Sequence, residues 1–313
     1  MASGQRGGVA VKVEHRRQAW GRRAVLGIPY VWLVVFFLVP LLIVAKISIS
    51  EIRVGVPPYE PLFEFADGAF VGVRATFNNF VLLFEDSLYV GAYFQSLTIA
   101  GVSTLLCLLV GYPMALAIAR ARPSRRPPLL LLVILPFWTS FLIRVYAWMG
   151  ILKDEGLLNG LLMWLGVISE PLVILNTTTA VYIGIVYSYL PFMVLPLYAT
   201  LEKLDPSLLE AAADLGARPI RAFLSVTLPL SLPGIVAGSL LVFVPAVGEY
   251  VIPDLLGGGD TQMLGKALWD MFALNRDWPS AAALAVAMLA ALAVPIAVFQ
   301  KWQSKLDGAE DRE

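Results

Sequence analysis

Residues 24–45 hold no Asp, Glu, Lys, Arg or His, and twenty of the run's positions would suffice to cross a bilayer as a helix. Five more apolar stretches follow, at 89–119, 128–152, 178–201, 230–252 and 280–302. A water-soluble fold has no interior large enough for them, because surface still grows with chain size. The chain is 58% hydrophobic and 15% charged over 313 residues, against about 45–50% and about 25% in soluble domains. These features predict an all-α membrane protein with six transmembrane helices. The first run follows a basic stretch, as a signal peptide would. It exceeds the roughly 7–15 apolar residues of such a signal and has Pro40 but no small-residue cleavage site, so an uncleaved span is expected. Pro113, Pro136, Pro191, Pro233, Pro245 and Pro295 fall inside the runs, where neighbouring helices can satisfy the freed carbonyls.

Six spans place both termini on one side, and the Lys/Arg bias identifies it. One side carries sixteen basic residues, including Arg120, Arg122, Arg125 and Arg126 in a loop without acids; the other side carries six. The termini are therefore expected to be cytoplasmic. The first outer segment, 48–87, is long and acidic (Glu51, Glu60, Glu64, Asp67, Glu85, Asp86). It reads either as a small lid or docking surface or as a structureless loop.

Several chemistries drop out. Cys107 is the sole cysteine and His15 the sole histidine, so disulfides, the usual metal sites and His-based catalysis are not expected. Net charge is zero, which points to no nucleic-acid partner. A phosphate-binding P-loop needs G-x-x-x-x-G-K-[ST]. Gly265-Lys266-Ala267 comes nearest, but Asp260 replaces the first glycine and Ala267 the hydroxyl. No cofactor is expected on this chain, and any ATP hydrolysis must come from another polypeptide.

The segment between the fourth and fifth runs is more specific. Asp205 suits an N-cap and Pro206 the first helical position. Glu210, Ala211, Ala212, Ala213 and Leu215 continue a helix, and Gly216 falls where a left-handed cap belongs. Pro219 opens a second short helix through Phe223, ending before Leu228-Pro229. Leu208, Ala212 and Leu215 share a face, and the small alanines permit close backbone approach. The residues alone fit either a docking surface or an amphipathic helix packed on the bilayer or its own bundle.

Glu210-Ala-Ala-Ala-Asp-Leu-Gly216, then Phe223 and Leu228-Pro229 with Pro233-Gly234-Ile235, resembles the EAA loop of binding-protein-dependent ABC importers. Leu135–Gly150 and Pro245–Pro253, with Leu255-Leu256-Gly257-Gly258, resemble the polyamine branch of that family. Residues 25–301 as a whole are similar to the permease subunit of putrescine importers, and spermidine permeases match slightly less well. The resemblance implies a type I ABC importer permease fold with a cytoplasmic coupling helix, in the bacterial inner membrane. It implies that Glu210, Ala211, Ala212, Leu215 and Gly216 couple the chain to an ATPase. The implied partners are a homologous second permease, two copies of a cytoplasmic ATPase carrying ATP and Mg, a periplasmic polyamine-binding protein and the lipid bilayer. The organisation expected is a tail at 1–23, a first helix at 24–47 and a periplasmic loop at 48–87. A five-helix core at 88–302 then includes the coupling loop 203–228, and a tail occupies 303–313.

Apart from Lys301 at the very end of the last run, two charged residues fall within the runs, Arg144 in the third and Glu249 in the fifth, at similar depth. A charge there must be paired or hydrated. They either pair with each other and pin two helices, or Glu249 receives a cationic substrate in a watered cavity. Trp138, Tyr146, Trp148, Tyr182, Tyr187, Tyr189 and Tyr250 crowd the same region. A ring face attracts an ammonium group, although packing and interfacial anchoring are the common uses of such residues. Tyr187 and Tyr189 are two apart and do not share a helix face. Gly234 and Gly238 form a GxxxG that suits close contact, within the bundle or with a partner permease.

The expectation is an ATP-driven importer permease for putrescine or related polyamines, working by alternating access. A second cargo is the first rival. A self-contained secondary transporter would need internal repeats and an ionisable relay, and a membrane enzyme would need a ligand set or nucleophile that cannot be assembled here.

Overall fold

The computed structural model describes residues 25, 27–66, 69–259 and 261–310. The basic tail 1–23, with His15, lies outside the described residues, as do Ala24, Asp67 and Asp260. The chain divides into two compact units: Met1–Phe80 with Asp277–Val286, and Val81–Arg276 with Ala287–Glu313.

In the first unit, α1 runs Gly27–Ser48, with a π-helical turn at Val34–Leu38. None of its apolar window is buried, and Trp32, Phe36, Phe37 and Leu42 all stand exposed. A helix that is apolar all round needs apolar surroundings, which lipid or a partner subunit supplies. The outer segment is ordered rather than structureless. β1 (Phe63–Ala66) and β2 (Ala69–Val73) pair antiparallel, with Phe63 opposite Val73 and Glu64 opposite Gly72. This hairpin corrects the all-α expectation. Alternating Phe, Glu and Val residues fit a pleated surface, and the Asp67-Gly68 dipeptide between them is a hairpin signal. Arg74 closes its base on Glu60 (3.1 Å) and Glu64 (2.9 Å). Buried Asn79 donates to the carbonyls of Ser48 and Ser50, both at 2.9 Å, which ties the end of α1 to the segment's return.

Helix α2 spans Asn78–Glu85. The second unit contains α3 (Ser87–Arg120), α4 (Arg126–Ile134), α5 (Phe141–Leu152), α6 (Leu157–Trp164) and α7 (Thr178–Leu201). It continues with α8 (Ser207–Asp214), α9 (Pro219–Ala222), α10 (Leu232–Val247), α11 (Val251–Leu256) and α12 (Leu264–Trp269). Helix α13 (Trp278–Glu310) crosses from one unit's residues to the other's and continues into the stretch expected as a tail. Among the described residues, three helices are long and apolar enough to cross a membrane, or up to five if each bent pair is one span. The apolar part of α13, Trp278–Ala293, is shorter.

The two bends revise the expected continuous helices. Pro123–Trp138 and Phe141–Trp164 meet at 89°. The break follows a 3₁₀ turn at Leu135–Trp138, and Thr139 is extended. Pro136 contributes no amide hydrogen to hold a helix through that point. Pro219–Leu230 meets α10 at 64°. There the second short helix continues past Phe223 through a π turn, Phe223–Thr227, and a helical turn, Leu228–Leu230, instead of stopping before Leu228. Pro113, Pro191, Pro196 and Pro245 stay inside helices.

Helices α3, α7 and α10 form the centre of the second unit. One cluster joins Ile99, Val145, Ile185, Val247, Ile252 and Leu256; another joins Cys107, Met193, Leu197 and Val242. The GxxxG is used inside the bundle. A Cβ at Gly234 would lie 2.6 Å from Thr200 Oγ1, and one at Gly238 would lie 2.9 Å from Met193 Sδ. Both glycines therefore let α10 approach α7 closely.

Candidate functional site

Two regions carry the residues that the sequence singled out. The first is the turn of helices at α8. The Asp205 carboxylate accepts from the Ser207 amide at 2.9 Å. That bond, with help from the Ser207 side chain, holds the Asp205 carboxyl below its usual range. Helix α8 begins one residue later than expected, at Ser207. At its end Gly216 has φ +79°. The Ala217 amide donates to Ala212 O (2.9 Å) and the Gly216 amide to Ala213 O (2.8 Å). These are the paired bonds of a Schellman cap, whose left-handed residue is glycine because a Cβ is disfavoured there.

The helix turns Leu209 and Ala212 partly inward, while Glu210 and Ala211 are exposed. Leu215 is 89% exposed, Ile220 76% and Leu224 55%. These three exposed aliphatic side chains are spread from the end of α8, through α9, to the π turn that follows it. Beneath α8 lies a cavity of about 350 Å³ whose walls include Arg120, Leu201, Leu208 and Thr227. At its edge Arg126 donates to Glu202 at 3.0 Å, tying α4 to the end of α7.

The second region surrounds Glu249. Instead of lying inside a helix, Glu249 falls in the gap between α10 and α11. It is 8% exposed. Its Oε2 accepts from the Tyr189 hydroxyl, and its Oε1 accepts from the amides of Val251 (3.1 Å) and Ile252 (3.4 Å). The carboxylate therefore satisfies the otherwise unpaired first amides of α11, where negative charge is favoured. Gly265 on α12 packs on this gap, since a Cβ there would lie 2.6 Å from Glu249 O. Ser96 fixes α12 by accepting from the Leu264 amide at 2.8 Å.

Arg144 is buried on α5, and no ion pair among the described residues joins it to Glu249. Its guanidinium lies over Phe137 (5.0 Å) and Phe141 (5.9 Å). Tyr189 approaches Phe192 (6.0 Å), and Phe192 meets Phe137 edge-on (5.3 Å). Tyr187 points elsewhere and packs on Trp148 at 5.3 Å.

Over residues 15–306 the sequence matches the family described as binding-protein-dependent transport system inner membrane component. The chain belongs to this family. Among relatives of this inner membrane component, the spermidine/putrescine transport system permease protein PotB of Haemophilus influenzae is 41% identical over 281 residues. That alignment covers 90% of this chain and 93% of the relative. The protein of the same name from Escherichia coli K12 is 44% identical over 233 residues, covering 74% and 84%. In fold, the inner membrane component is similar to a bacterial ABC transporter involved in import of the acidic polysaccharide alginate. The TM-score is 0.67 at 19% identity, over 93% of this chain and 97% of that one.

The structure brings Tyr189 and Glu249 together and places Arg144 on the adjoining rings. Trp138 (73% exposed) and Tyr146 (57%) face outward from the single chain. Tyr250 stacks on Trp269 at 5.0 Å. Phe137, Phe141 and Phe192 were not singled out by the sequence. The Phe141–Arg144 spacing of three on a helix was a usable signal, whereas Phe192 could be found only in three dimensions.

Proposed function

We propose that this inner membrane component is a permease subunit of an ATP-driven importer for linear polyamines. The observation that carries the reading is 41–44% identity, over most of both chains, to permeases named for spermidine and putrescine. Their names pair the two solutes, so the proposal is for the polyamine class rather than putrescine alone. In this reading six spans cross the bacterial inner membrane: α1, α3, the bent α4–α5 pair, α7, α10 with its bent approach, and α13. Both termini are cytoplasmic, in keeping with the sixteen-to-six bias of basic residues.

The chain forms the pathway with a homologous second permease. Two ATPase copies supply ATP and Mg²⁺ chemistry, and a periplasmic binding protein delivers the solute. Helix α8 is the coupling element. Ala211 and the partly buried Ala212 let a partner backbone approach closely, Glu210 stands exposed beside them, and Leu215, just before the Gly216 cap, supplies the apolar contact that an ATPase cleft would bury. A helix docked there moves as a body with the cleft, and the Arg126–Glu202 bond carries that motion towards α4 and α7.

Glu249 is the solute's carboxylate. An ammonium group leaving water needs a compensating negative charge, and Tyr189 presents the carboxylate in a fixed orientation. Trp138, Tyr146 and Tyr187 are the ring surfaces that the alkyl chain and its charges pass. Cargo varies in the family: the molybdenum transport permease ModB of Mycobacterium bovis is 32% identical over 231 residues. Another small solute is therefore the second reading. Reconstitution with the cognate ATPase, second permease and binding protein decides it. Spermidine or putrescine should stimulate ATP hydrolysis and accumulate in vesicles, and stimulation only by a non-cationic solute would refute the polyamine proposal.

A further inference from the structure

Arg144 and Glu249 are the only charged side chains buried among the described residues, and the structure keeps them apart. The Nε and Nη1 atoms of Arg144 are buried without a hydrogen-bond partner. Ring faces at 5.0 and 5.9 Å attract the guanidinium but offer none of the in-plane acceptors its donors require. Glu249, by contrast, accepts three bonds, all from neutral donors. Each ion is thus accommodated without its natural counter-ion, although α5, which carries Arg144, packs against α11, whose first amides Glu249 accepts. Phe137, Phe192 and Tyr189 form a chain of ring contacts from the guanidinium to the carboxylate.

Both charges also lie beside a break. Arg144 is in the first turn after the 89° bend, with its amide donating to Ser140 O at 3.2 Å. Glu249 lies in the gap between α10 and α11. Breaks and element ends are where packed helices absorb a rearrangement, and a discontinuous helix places such a rearrangement within the membrane.

We infer that Arg144 is the counter-cation of Glu249 in the empty pathway, and that the solute's ammonium group displaces it into the Phe137–Phe141 slot. The inference rests on the reading of Glu249 as the solute's contact. A buried carboxylate held only by neutral donors costs more than one beside a positive charge, so a cation that can reach it is favoured in each transport state. The solute supplies that charge on the inward stroke. Once the solute has left, only Arg144 can supply it for the return stroke. The same competition defines the cargo, because a neutral solute cannot displace a tethered guanidinium.

The test uses the complete transporter, with both permeases, ATPase and binding protein, in proteoliposomes with labelled spermidine. Arg144→Met should leave the first turnover intact and slow later turnovers about tenfold, a coupling within the usual range for linked sites. Arg144→Lys keeps the charge and should restore most of the later rate. Equal loss of first and later turnovers, or no loss in either, overturns the exchange. If the Met variant does not assemble, Arg144→Gln is measured and judged by the same two outcomes. Glu249→Gln separates the two ideas. A normal first turnover in that variant removes the solute-contact reading itself. A lost first turnover there, with no split in the Arg144 variants, removes the exchange alone.

Discussion

Tyr189 on α7 donates its hydroxyl to Glu249, sixty positions away, in a hydrogen bond of 2.5 Å. Through it α7, one of the central helices of the second unit, holds the residue at the α10–α11 gap. Glu249 then serves two masters, the tyrosine and the first amides of α11. A carboxylate so placed cannot move without uncapping a helix.

Tyr189→Phe keeps the ring and removes the donor. A hydrogen bond to a charged group is worth about 1.5–3 kcal/mol. Transport should fall at least tenfold while assembly with the partner subunits persists. Uptake assays, read beside the yield of purified complex, check this; wild-type uptake would show that Tyr189 only packs.

Gly216→Val tests the coupling assignment. With φ at +79°, a β-branched residue would strain the cap, at a cost on the order of 1–3 kcal/mol. Insertion into the membrane should be normal, whereas solute-stimulated ATP hydrolysis and uptake should be nearly lost. Normal transport by this variant would sink the assignment of α8.

Gly234→Val should destabilise the fold itself. Its Cβ would lie 2.6 Å from Thr200 Oγ1 and 2.9 Å from the Pro196 carbonyl. Overpacking against backbone costs typically about 1–3 kcal/mol. Thermal aggregation followed by size-exclusion chromatography should shift to lower temperature. An unchanged midpoint would contradict the α7–α10 contact.

The orientation can be tested with thiols, because Cys107 is buried and gives little background. A cysteine in place of Glu60 should be labelled from outside intact cells. One in place of Arg125 should be labelled only after permeabilisation. The reverse pattern would invert the topology.

The α8 cap has a signed pH dependence. The Asp205 carboxyl is held below its usual range by the Ser207 amide, so its contribution is complete above the ordinary carboxylate pKa. It is lost as pH falls through the depressed value. The protection of amides 207–210, taken relative to the intrinsic exchange rate at each pH, should therefore fall on acidification. Asp205→Ala should show that lower protection already at neutral pH, with no further acid step from this residue.

Local chemistry made much of this protein legible from its sequence. Long runs without charge admit few structures in a bilayer other than helices, since every backbone group must bond internally. Asp205, Gly216 and Pro219 prescribe their turn because caps and left-handed residues depend on neighbours in the chain. The pairing of Asp67-Gly68 with alternating flanks was equally local, and reading the outer segment for length and charge passed over it. Tertiary structure alone decided where the 89° break falls, that Gly234 and Gly238 face α7, and that Arg144 rests on Phe137 instead of Glu249. Those choices depend on which distant side chains arrive at the same point. Period and composition place a charge at a depth in the membrane, but only the packed bundle selects its partner.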